Sequence, residues 1–126
     1  MRYTPLVSLL LGLVTAIVLW GCTGGSGTPL RREIAAGDRQ KDWALVYFQS
    51  WRQAQDAAYL QMARRQMADA VLTYYGLQVK IGHSYPDFYI IDRKRRETCD
   101  FLAEMDRDAL KFRVALEDTA REGCLR

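Results

Sequence analysis

The chain is 126 residues long, with 18 Lys and Arg against 15 Asp and Glu, a formal net charge of +3 and one histidine. So small a surplus argues against nucleic acid as a partner, and the length allows one domain with a modest core rather than two. After Pro29 the only proline is Pro86, and long stretches of helix formers without breakers predict a mainly helical body.

Residues 1–21 open with one positive charge at Arg2, continue through an apolar run from Leu6 to Trp20 and end in a small residue, Gly21. This is the layout of an export signal. As a helix the run would cover only about 23 Å of a hydrocarbon core of about 30 Å, short for a permanent span. The junction Leu19-Trp20-Gly21-Cys22 resembles the lipobox of bacterial lipoproteins, with Trp20 where a small residue is usual. The resemblance is confined to the first 22 residues. It implies cleavage after Gly21, acylation of Cys22 and tethering to membrane lipid in the periplasm of a bacterial envelope. Thr23, in place of the Asp that retains such proteins in the inner membrane, favours the outer membrane.

Residues 22–38 are expected to form a lipidated cysteine and tether, since Thr23 to Pro29 is rich in Gly, Ser and Thr. A single helical domain is expected over 39–126. From Lys41 to Tyr75 apolar groups recur three and four apart: Trp43, Tyr47, Trp51, Ala54, Ala58, Ala63, Met67, Ala70 and Tyr74. This spacing predicts one amphipathic helix of about 35 residues, closed by Gly76.

Ser84-Tyr85-Pro86-Asp87 carries the serine and acid of a capping box with proline in the first turn. A second long helix follows on Ile91, Thr98, Leu102, Met105, Ala109, Phe112, Leu116 and Thr119, with Arg95 as a polar interruption and Gly123 at its end. The fold class is thus all-α: two long amphipathic helices as an antiparallel hairpin or small bundle, with Trp43, Tyr47 and Trp51 packed near Phe112 and Leu116. Strand-favouring residues in Leu77–Ile81 and Asp87–Ile91 leave an α-β-β-α alternative with a short hairpin at 77–91.

Cys99 and Cys124 remain after Cys22, and in an oxidising envelope two such cysteines usually pair. On one straight helix they would be about 37 Å apart, whereas a disulfide needs Cα atoms within about 7 Å. Either the helix breaks, with Glu104 to Asp108 the most polar place for it, or Cys99 meets Cys124 of a second chain in a homodimer, or both stay thiols.

No pattern implies catalysis, a metal or a cofactor. His83 lies near Ser84 and Asp87, but no glycine-flanked nucleophile elbow surrounds the serine. Two distant cysteines and one histidine lack zinc spacing, and Asp100, Glu104 and Asp108 read as a solvated acidic face with basic neighbours. Two groups are candidates for contact. Tyr74, Tyr75, His83, Tyr85, Phe88 and Tyr89 gather around the connection as a partner-binding end. Arg93, Lys94, Arg95 and Arg96 could meet anionic headgroups or an acidic partner. The expectation is a noncatalytic accessory lipoprotein docked on a larger envelope complex for secretion, conjugation or membrane-protein assembly. A periplasmic ligand-binding or inhibitory lipoprotein is the alternative.

Overall fold

A computed structural model describes residues 29–125; the segment expected to be an export signal with a lipobox, and Cys22, lie outside the described residues. The chain divides into two compact units, 1–32 and 33–126. Of the first, the described part is residues 29–32, the opening turn of helix α1. The described residues are mainly helical and contain no strand, so the hairpin alternative at 77–91 is set aside, and so is the two-helix count: three long helices are present among them.

Helix α1 spans Pro29–Ala54, so residues 29–38 are helical where a tether was expected. Proline suits the first helical position because the amide it lacks would be unpaired there. The single helix expected over 41–75 is broken. Gln55 adopts a left-handed conformation with φ 55°, and the Asp56 side chain caps helix α2, Ala57–Ile81, by accepting from the Ala58 amide at 3.0 Å. Folding back here lets Trp51, Leu60 and Ala63 share one core, which an unbroken helix would have left open to water.

Gly76 sits inside α2 with nothing near its missing Cβ. The helix runs five residues further, to Gly82, whose φ of 74° is open to glycine without strain and whose amide donates to the Gln78 carbonyl at 3.0 Å. Helix α3 spans Asp87–Phe112, with Pro86 at the cap position and no side-chain cap bond, so the expected Ser84 cap is not made. The break in the second long helix falls at Arg113, which is left-handed (φ 57°, ψ 43°), and not within Glu104 to Asp108.

Contacts at both ends set the topology of the unit 33–126. The late part of α1 meets the late part of α3: the Trp51 indole N–H donates to Asp108 at 3.0 Å, and its ring meets Phe112 edge-on with centroids 5.4 Å apart. The early part of α1 meets the late part of α2 and the early part of α3. Tyr74 and Lys94 both donate to Asp38, and Lys80 lies 3.4 Å from Glu33. The helices therefore run up, down and up. At Gly37 a Cβ would stand 2.7 Å from the Tyr74 ring, so glycine is what lets the two helices approach there.

After Arg113 the chain returns along the groove between α2 and α3. Gln61 donates to the Ala115 carbonyl at 3.3 Å and Arg64 to the Thr119 carbonyl at 3.0 Å. The short helix α4, Arg121–Cys124, brings Cys124 to Cys99 with Cα atoms 5.7 Å apart, joined as a disulfide within one chain. Neither an interchain bond nor free thiols are needed. Phe48, Trp51, Leu60, Met67, Val71, Leu102 and Met105 form the core, each contributing about 1.5–3 kcal/mol on burial. Trp43 and Ala58, expected in that stripe, are exposed, because the fold-back changes which face of α1 and of early α2 turns inward.

Candidate functional site

The residues expected to bind a partner divide into two groups. Tyr74 is fully buried, its hydroxyl donating to Asp38, so it belongs to the core. Desolvation, then the hydrogen bond to Asp38, hold that phenol well above the ordinary tyrosine range. The others stay at the connection end. His83 stacks on Phe88 with centroids 4.2 Å apart, and Phe88 meets Tyr89 edge-on at 5.6 Å. Tyr85 and Tyr89 are 54% and 66% exposed.

Between α2 and α3 at this end lies a cleft of about 510 Å³. Val79, His83, Phe88 and Tyr89 supply apolar and aromatic wall, Arg96 a charge, and Gly123 of the returning tail closes one side. The cleft continues the groove that the tail fills lower down. Two other depressions, of about 190 Å³ each, lie beside Arg64 and beside Cys99.

The floor of the cleft is held by a buried guanidinium. Arg95 donates to Gln78 at 2.7 Å, to the Gly123 carbonyl at 2.6 Å and to Asp92 at 2.8 Å. Gln78 in turn donates to Asp92 at 2.9 Å. Burial alone would raise the Asp92 carboxyl, but the hydrogen bonds from Gln78 and Arg95 and the charges of Arg95 and Arg96 outweigh it and hold it below its ordinary value. Among the described residues no buried side-chain polar atom is left without a partner.

The basic run does not form one surface. Successive residues on a helix point about 100° apart, so four in a row spread around the axis. Arg95 points inward, Lys94 lies 3.0 Å from Asp38, Arg96 lies 2.8 Å from Asp92, and Arg93 is exposed. Headgroup contact by Arg95 is thereby excluded. On the acidic face, Arg52 pairs with Glu104 and Asp108. Among the described residues no group of three His, Cys, Asp or Glu side chains could hold a metal ion, and no helix is long and apolar enough to cross a membrane.

Sequence reasoning missed Val79, Gln78 and the tail as parts of this cleft. Arg95, recurring at core spacing between Ile91 and Thr98, was the available signal: a charge inside an apolar stripe implies buried partners. The chain matches no protein-family model, and neither the curated proteins nor the solved structures contain one similar to it.

Proposed function

We propose that this protein is a noncatalytic accessory lipoprotein, tethered to membrane lipid through acylated Cys22, that binds a partner of a larger bacterial envelope complex for secretion, conjugation or membrane-protein assembly. Its place would be the periplasmic face of the outer membrane. The observation that carries the reading is the cleft at the connection end: a preformed concave surface with apolar walls and exposed Val79 and Tyr89 at its edge. Its polar floor is already satisfied internally, so it suits apolar anchoring of a partner better than bond-making chemistry. The Cys22 junction supplies the address.

The test is photocrosslinking in living cells. A crosslinking amino acid at position 89, on the cleft, should give a discrete protein adduct in the membrane fraction, while the same group at position 110, exposed at the opposite end, should not. The cleft volume of about 510 Å³ also suits a small molecule, which favours the ligand-binding lipoprotein as second reading. A small molecule copurifying with the protein, and no adduct at 89, would put that reading first.

A further inference from the structure

Helix α1 begins at Pro29, seven residues after Cys22. Its Glu33 pairs with Lys80, two residues before Gly82 at the end of α2. The polypeptide therefore reaches the unit 33–126 at its connection end, and seven extended residues span at most about 25 Å. Helix α2, with 25 residues, is about 37 Å long. An acyl group on Cys22 would thus hold the connection end nearest the bilayer and leave Leu110 and the α1–α2 turn farthest away.

That end exposes Tyr85 at 54% and Ile90 at 46%, with Pro86 between them also exposed. A tyrosine ring with a polar tip suits the boundary between headgroups and acyl chains, and isoleucine suits its apolar side. Neither Tyr85 nor Ile90 lines the cleft, although Phe88 and Tyr89 between them do, so this surface adjoins the partner-binding one without sharing its two anchoring side chains. The nearby cations are largely matched: Lys80 by Glu33, Lys94 by Asp38 and Arg96 by Asp92. The contact is therefore apolar and interfacial rather than electrostatic.

We propose that the connection end, residues 84–90, rests in the headgroup region of the membrane with Tyr85 and Ile90 as its anchoring side chains, so that the cleft opens beside the bilayer surface. Two such side chains are too few to recruit a soluble protein. The tether makes their contact intramolecular, and a weak contact is then enough to fix orientation. The proposal rests on the acylation of Cys22.

The acylated protein, purified from membranes and reconstituted in vesicles of phosphatidylethanolamine and phosphatidylglycerol, would carry an environment-sensitive fluorescent amino acid at position 85, 90 or 110. With nitroxide-labelled lipid present, loss of emission is expected at 85 and 90 and none at 110. Equal quenching at 110, or none at 85, overturns the proposal. With the fluorophore at 84, the double substitution Tyr85→Ser and Ile90→Ser should abolish quenching, and persistence would show that these side chains are not the anchors. The mass of the purified protein reads acylation separately. Unacylated protein would overturn both the anchor and this orientation; acylated protein with a silent position 85 would overturn the orientation alone.

Discussion

Arg95 joins three partners at the connection end through one guanidinium: Gln78 on α2, Asp92 on its own helix, and the Gly123 carbonyl, which lies next to the disulfide at Cys124. A buried charge is costly when it loses its partners, and its partners are costly when they lose the charge. Arg95→Ala should therefore destabilise the fold by about 3–5 kcal/mol, read as a lower urea midpoint, and should loosen the tail against α2. Two carboxylates held below their ordinary range contribute to acid sensitivity. Burial would raise Asp38, but hydrogen bonds from Tyr74 and Lys94 and the charges of Lys94 and Lys41 bring it below its ordinary 3.8; Asp92 is lowered in the same way. Since the folded values lie below the unfolded one, the stability they contribute is complete above about pH 3.8 and is lost as pH falls through the lower folded values. Unfolding midpoints measured from pH 7 down to pH 2 should show a steep fall in that acid range, shallower in Asp92→Asn. A midpoint independent of pH below 4 would contradict the assignment.

Among the elements, the helices were legible in the sequence and their ends were not. The apolar periods of Ala63 to Tyr74 and of Ile91 to Ala109 match buried faces. The positions of the breaks, at Gln55 and Arg113, went unread because neither residue is a breaker: both adopt left-handed backbone that local propensity disfavours and tertiary packing imposes. The connection was placed near its true position, but its helix-ending glycine is Gly82 and not Gly76, a choice between two glycines that only packing could make. The disulfide carried the most recoverable information, since the distance between Cys99 and Cys124 on a straight helix left a return of the chain, a bond between chains or two thiols, and the structure takes the first. That return is held by the Cys99–Cys124 bond, which closes a loop with a sequence separation of 25. The loop-entropy relation puts its contribution at about 3.5 kcal/mol. Cys99→Ser should lower stability by about that amount while leaving the helical circular dichroism signal nearly intact, because α1 to α3 keep their shared core. A collapse of helical signal on reduction would show instead that the tail is required for the bundle to form.

For the whole molecule, the decisive question is whether the tether proposed at Cys22 would do more than deliver the protein. The cleft is open, modest in size and floored by hydrogen-bonded side chains, which fits the proposed binding surface if its intrinsic affinity is limited. Confinement to the membrane raises the effective concentration of such a surface against a partner in the same membrane, with no new contact needed. On the proposed acylation of Cys22, Cys22→Ser should therefore release the protein from membranes into the soluble fraction and, at native expression, fail to complement a deletion. Strong overexpression of the same variant should restore function in part, because concentration then substitutes for confinement. A variant that complements fully at native level would mean that the cleft binds tightly enough alone and that the lipid serves delivery only. A variant that fails at every level would mean that orientation at the bilayer, set by Tyr85 and Ile90, is itself part of the function.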